Sequence, residues 1–338
     1  MTAERCAAQL LSGERADSPE EVARRLLAIQ AQDPRGARLA VRARSVGLSA
    51  SDVDSAFASR AIVVTWLNRG TLHLVRAEDY WWLHPLTTLQ LRTGNSRRLA
   101  QEGVPPHDAE RAVAVVQAAL AADGPLTRSQ LRERVAAAGV RTEGQALVHI
   151  LALASIRGLI VRGPAAGRDQ AFVLARDWLG APPPAMSREA ALGELARRYL
   201  AGHAPAADAD LARWAGIGLR DARLGLAECG AVQRADGLAE LSAMSRCPAV
   251  ALPAPRLLGA FDPLLLGWES RDPITGPHRQ IITVNGLFRP FALVGGRAVA
   301  TWTIKGGQIK LAPFAELDPE TRAALETDAA DVTRFLDQ

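Results

Sequence analysis

Apolar and polar positions along this chain fall into blocks that recur. In the middle, "DAERAVAVVQAALAADGP" (108–125) sets apolar residues at helical spacing and stops at Gly124-Pro125. "LTRSQLRERVAAAG" follows, with Thr127 and Gln130 at capping-box spacing and Gly139 where a C-terminal cap belongs. A third helix is expected over 141–158, stopped by Gly158. "LIVRG" and "QAFVLA" then read as two strands joined by the polar loop "PAAGRD". Helix, helix, helix, strand, wing loop, strand is the order of a winged helix-turn-helix.

The same order returns at 187–205, 207–216 and 218–230, three helical stretches followed by a short hairpin around Asp236-Gly237. A weaker copy opens the chain. Its helix, 19–32, starts with the N-cap Ser18, the first-turn Pro19 and the capping-box Glu21. Ser49 can cap a helix near 50–60, and "AIVVTWLN" pairs with "GTLHLV" through Arg69-Gly70. Three copies of similar size are stronger evidence than one. The tail, 280–314, has strand-like runs with turns at Asn285-Gly286, Gly295-Gly296 and Gly306-Gly307, and a helix near 318–336 closes the chain. "GAPPPAMS" (180–187) and "CPAVALPAPR" (247–256) read as linkers. The expected fold is therefore α+β, mainly helical: three tandem winged-helix motifs plus a C-terminal β-meander or small barrel. The segments are 1–100, 101–180, 187–246 and 256–338.

Composition narrows the class. A chain of 338 residues with 48% hydrophobic residues can bury real cores, and no apolar run reaches the ~18–20 residues of a membrane helix. Cys6, Cys229 and Cys247 are far apart and lack CxxC spacing, which argues for a reducing cytoplasm and against a disulfide or zinc scaffold. The six histidines show no metal-binding spacing. Net charge is only +4, yet residues 271–310 hold Arg271, Arg279, Arg289, Arg297, Lys305 and Lys310 against a single acid, Asp272. A GC-rich genome accounts for arginine over lysine. The clustering calls for a polyanion partner.

The chemistry-bearing stretch is "AIQAQDPR" (28–35). Val22, Leu26 and Gln30 share one helical stripe, while Gln32 on the same helix would point about 200° away. Asp33 precedes Pro34 and is pushed toward an extended conformation. If 30–32 unwinds, period-two alternation sends both glutamine amides to one side. A single glutamine at a helix end is ordinarily a solvated polar group; a pair flanked by Arg35 and Arg38 is less ordinary.

At this point "LLAIQAQDPRGA", "TWLNRGTLHLV", "DADLARWAGI", "LGAFDPLLLGW" and "VNGLFRPFALVGGRAVATW" resemble the winged-helix DNA glycosylase family. Some of its members excise bulky alkylated purines and unhook interstrand crosslinks. They include self-resistance enzymes of actinomycetes that make DNA-alkylating antibiotics. The resemblance runs in order over most of the chain. The family's glutamine–apolar–glutamine motif, in which both glutamines are catalytic, matches Gln30-Ala31-Gln32; a related branch carries an acid where this chain has Gln32. The resemblance implies three winged helices around a basic concave surface, and a hairpin needed for activity, placed here at 281–302.

That chemistry is reasonable for amides. A purine alkylated at N7 or N3 is already cationic and leaves as a neutral base, so little general acid is needed. What remains is to place water behind C1′ and stabilise an oxocarbenium-like transition state. An amide oxygen can accept from that water but is no strong base. Asp33 is the alternative catalyst, with an Asp-Pro turn or a contact to Arg35 or Arg38 as its structural reading. Candidate phosphate contacts are Arg35, Arg38, Arg42, Arg69, Arg97, Arg98, Arg279, Arg289, Lys305 and Lys310, with His73 lining the cleft. "EDYWWLHP" (78–85) and Asp262 in "GAFDPLLLGW" read as core packing and a turn. The expectation is a monomeric, cytoplasmic, monofunctional glycosylase acting on double-stranded DNA with alkylated purines, with no cofactor, no metal and no membrane partner. The alternative is a non-catalytic winged-helix regulator or a drug-shielding protein. The recognition-helix positions 143–157 and 218–229 carry few basic residues, which disfavours a sequence-reading repressor.

Overall fold

The computed structural model describes the chain except residues 168, 243–250, 284 and 338. Cys247, the start of the 247–256 linker and the end of the 187–246 segment lie outside the described residues. The chain forms two compact units, Asp54–Met186 and Met1–Val53 with Ser187–Gln338. This grouping crosses the segment bound drawn at residue 100, because residues 62–76 share a sheet with 160–174.

In the Asp54–Met186 unit, four antiparallel strands lie in the order Thr71–Arg76, Ile62–Leu67, Ile160–Ala166, Asp169–Leu174. Helices Pro106–Asp123, Arg128–Ala137 and Ala146–Ile156 precede the second strand pair in winged-helix order. Thr127 and Gln130 form both halves of the capping box, Thr127 N–H to Gln130 Oε1 at 2.8 Å and Gln130 N–H to Thr127 Oγ1 at 3.3 Å. The third helix starts at Ala146 rather than 141, because Gly144 has φ +60 and breaks the helical path. "EDYWWLHP" is helical within Ala77–Thr88, with Tyr80 fully buried against Trp81 and His84.

In the other unit, helices Arg188–His203, Asp208–Ala215 and Leu219–Glu228 precede the short pair Val232–Gln233 and Ala239–Glu240. Ser187 caps the first of them, accepting from Ala190 N–H. The C-terminal strands form a four-stranded antiparallel sheet ordered Gln308–Pro313, Arg297–Lys305, Phe291–Val294, Arg256–Leu258. Its two tight turns are Gly295-Gly296 and Gly306-Gly307, all at positive φ, as hairpin turns of this length require.

Two expectations about the tail are corrected. The sheet is open, not a barrel. Its Arg256–Leu258 edge is sealed by side chains: Leu257 N–H donates to Asp328 of the closing helix Pro319–Asp337, and Leu257 C=O accepts from Arg42. An edge so occupied has no groups left to pair with a further strand. Nor is 281–302 one hairpin. A 3₁₀ turn at Arg279–Ile281 and an isolated bridge between Ile282 and Phe288 come first, and paired strands begin only at Phe291.

The first helix also ends early. Ser18 caps it through Glu21 N–H, but it runs only Pro19–Leu26. Leu27 takes φ 63, a left-handed conformation costly for leucine, and the full burial of Leu27 and Ile29 offsets that cost. A new helix, Pro34–Arg44, follows an extended Ile29–Gln30.

That second helix is bolted down by Arg44. Its guanidinium pairs both carboxylate oxygens of Asp262, at 2.8 and 3.0 Å, and also donates to Gln9 Oε1 and Ala40 C=O. Arg44 and Asp262 are each 0% exposed. Asp262 also caps Pro263–Leu266 by accepting from Leu264 N–H, which is the structural turn expected of it. Removing one member of such a pair strands the other charge away from water. Arg44→Met and Asp262→Ala should each destabilise by about 3–5 kcal/mol in urea denaturation. The double variant Arg44→Met/Asp262→Leu should lose less than the sum of the two.

Candidate active site

The glutamines meet. After Leu27 turns the chain, residues 27–31 are all buried, and Gln32 is the first to reach the surface. Gln30 Nε2 donates to Gln32 Oε1 at 2.6 Å, with Gln30 7% exposed. The two amides therefore converge at the surface end of a buried segment. They are not the end of a helix, as expected, but an extended link between two helices.

Asp33 closes this link as an N-cap. Its Oδ1 accepts from Arg35 N–H at 2.9 Å and Gly36 N–H at 3.0 Å, while Pro34 holds the first helical position. The start of the helix is located by backbone contact. A methyl added to Gly36 would lie 2.3 Å from Ala260 O, and one added to Gly259 would lie 3.0 Å from Gly36 Cα. Only glycine permits this approach. The segment "GAFD" thus sets where Asp33 sits, and Asp33 sets where Gln32 sits. Neither glycine was singled out from the sequence. The signal was a glycine one turn into a helix, a position that otherwise weakens it.

The AlkZ-like DNA glycosylase family model matches residues 23–335 of this chain. The chain belongs to that family. Its sequence is 27% identical to an interstrand DNA cross-link repair glycosylase of Streptomyces sahachiroi, over 96% of this chain and 93% of the relative. Its fold matches the solved structure of the Streptomyces sahachiroi DNA glycosylase AlkZ with a TM-score of 0.77 at 25% identity, covering 99% of this chain and 95% of that one. The protein is thus a DNA glycosylase, an enzyme rather than a regulator or a drug-shielding module. No helix among the described residues is long and apolar enough to cross a membrane, and no group of metal-binding side chains occurs among them.

The candidate DNA contacts of this glycosylase sort into three kinds. Arg35, Arg69, Arg97, Arg98, Arg279, Arg289, Lys305 and Lys310 have exposed side chains. Arg279 and Arg289 flank the Ile282–Phe288 bridge; Lys305 and Lys310 flank the Gly306-Gly307 turn. Arg38 is half-buried, with Nη1 donating to Pro34 C=O at 3.4 Å. Arg42 and His73 are not phosphate contacts. Arg42 is 3% exposed and its two terminal nitrogens bind Asp328, Asp331 and Leu257 C=O. His73 is 3% exposed, with Nδ1 3.0 Å from Thr71 O. Burial first, and then the charge of Arg69, push its pKa down to about 3, so the ring is neutral at working pH.

The recognition-helix positions are equally unsuited to base reading. Ala146–Ile156 buries nine of its residues. On Leu219–Glu228, Arg223 pairs with Asp208 and Asp221 with Arg188. Gly36→Ala tests how the site is held. It should cost about 1–3 kcal/mol in thermal unfolding and lower the excision rate through the displaced Asp33 and Gln32, while Arg35→Gln leaves the unfolding midpoint unchanged.

Proposed function

We propose that this chain is a monofunctional glycosylase. It hydrolyses the N-glycosidic bond of cationic alkylated purines in double-stranded DNA, including purines tied into interstrand crosslinks, and leaves an abasic site. The observation that carries this reading is the hydrogen bond between Gln30 Nε2 and Gln32 Oε1. An amide that donates through its nitrogen becomes a better acceptor at its own oxygen. Gln30 Oε1 is thereby tuned to accept from a water, and Gln32 fixes its rotamer. Gln32 is the exposed member of the pair, and its role on this reading is to meet the nucleotide.

The role of the pair is to hold water behind C1′ and to turn the negative end of a fixed dipole toward the developing cation. The pair needs a leaving group that departs without a proton, which is what an N7- or N3-alkylated purine provides. Undamaged bases and uracil lie outside its reach. A lyase step needs an amine for a Schiff base. The chain's only lysines, Lys305 and Lys310, are on the C-terminal sheet and absent from the glutamine segment. The crosslink part of the proposal is supported by the name of the Streptomyces sahachiroi relative.

Duplex DNA carrying N7-methylguanine, treated with enzyme and then hot alkali, should break at the lesion. Gln30→Ala and Gln32→Ala should each slow single-turnover excision by about 10²–10³-fold. The double variant should be little slower than either, since the two act as one unit. Asp33→Asn keeps an equally good N-cap and removes the charge, so it should retain most of the rate. Wild-type rates in both glutamine variants, with activity lost in Asp33→Asn, would make Asp33 the catalyst instead.

The pH profile is a second check. Amides do not titrate, and His73, whose folded pKa is lowered to about 3, stays neutral above that value. Single-turnover excision should be flat from about pH 5 to 8. A bell-shaped profile in that window would point to a titrating acid or base.

A further inference from the structure

At the C-terminal end of helix Pro34–Arg44, in the same unit as the glutamines, lies a cavity of about 550 Å³. Its charged lining is Arg15, Arg42, Arg256 and Arg334 against Asp328 and Asp331. Both carboxylates are already engaged. Asp328 accepts from Arg42 and from Leu257 N–H, and Asp331 accepts from Arg42 and Arg334. Arg15 and Arg256 form no ion pair among the described residues.

Arg256 is the unusual member. It is half-buried and donates through Nη1 to Ala43 C=O at 2.7 Å. Its Nε is buried with no acceptor, as is the Nε of Arg42 beside it. Burial pushes its pKa down to about 10. Asp328 opposes that shift, and the charges of Arg15, Arg42 and Arg44 add to it. A desolvated guanidinium with only cations and spent carboxylates around it is costly. An anion entering the cavity would relieve it. A tetrahedral phosphate, with several acceptor oxygens, suits a cavity lined by two guanidinium groups without an ion pair better than a lone carboxylate does.

We propose that this cavity is a phosphate-binding site, formed by the half-buried Arg256 and the exposed Arg15. Two sources share this chemistry: the DNA backbone, and free phosphate or a nucleotide. The eleven-residue helix places the cavity roughly 16 Å from the glutamine segment, and one DNA strand carries a phosphate about every 3.4 Å of axis. A duplex engaged at the glutamines therefore has phosphates at that range.

The test uses the full chain. Inorganic phosphate is titrated into the wild-type protein and the unfolding midpoint is compared with chloride at equal ionic strength. Phosphate should raise the midpoint and chloride should not. The phosphate response should vanish in Arg15→Gln, a surface change that leaves the fold intact, and weaken in Arg256→Lys. No phosphate-specific rise in the wild type, or a rise undiminished in Arg15→Gln, overturns the proposal. Undamaged duplex separates the two sources. If the site holds the DNA backbone, Arg15→Gln lowers the slope of log K against log salt by about 0.9. If it holds free phosphate or a nucleotide, the slope is unchanged while the thermal response is lost. None of these readouts requires base excision. A protein that responds to phosphate but releases no alkylated purine would refute the proposed function and leave this site standing.

Discussion

The placement of the glutamine segment hangs on one buried ion pair. Arg44 and Asp262 lie 218 residues apart in sequence and have no access to water, and together they tie the helix after the glutamines to the segment that positions its other end. Charge buried this deeply is tolerated because the carboxylate and both terminal nitrogens of the guanidinium are hydrogen-bonded, although Arg44 Nε is buried with no acceptor. Gln9 and Ala40 C=O take further donors of Arg44, and Leu264 N–H serves Asp262. Phe261, just before Asp262, is held at φ 56. Such strain persists only where surrounding contacts over-determine it. Here it lets three consecutive features, the Gly259-Ala260 contact with Gly36, the turn at Phe261 and the carboxylate of Asp262, address one helix.

Once that helix is fixed, the glutamines have little freedom. Their segment is clamped at its C-terminal end by the Asp33 cap and at its N-terminal end by the left-handed Leu27 with its buried side chain. Five residues between two such clamps cannot slide, so the register that brings Gln30 to Gln32 is set by backbone geometry. The Gln30–Gln32 hydrogen bond then restrains both side chains before any substrate binds, which on the proposed reading is what a catalyst of weak basicity requires.

Much of the fold was readable from local sequence. The Thr127–Gln130 and Ser18–Glu21 caps, the double-glycine turns and the winged-helix order are short-range patterns with short-range physical causes, and they were found where the sequence put them. What sequence spacing missed was long-range. Arg42 looks like any arginine of a basic surface until Asp328 and Asp331, nearly 290 positions away, take its guanidinium. His73 alternates on its strand as a cleft residue would, yet it is buried and neutral. The helix end at Leu26 was hidden for a different reason: leucine carries no signal for a left-handed turn, and tertiary burial overrode its preference. The convergence of the two amides was legible because it needed only Pro34, the residue before it, and the alternation of an extended chain.

The same geometry explains why amides rather than a carboxylate suit this position. Asp33 is next to Gln32 and chemically the stronger base, but its Oδ1 is held by two backbone N–H groups at a helix N-terminus. Those bonds commit the carboxylate to the cap, and they hold it against the helix N-terminus. Swinging it toward a nucleotide would also uncap the helix that carries Arg44. The fold therefore commits the charge to structure and leaves one neutral amide, Gln32, at the surface, bonded to the buried Gln30. On the proposed reading, this division of labour sets substrate choice: with no proton donor or strong base in the glutamine segment, the reaction proceeds only where alkylation has already made the base a good leaving group.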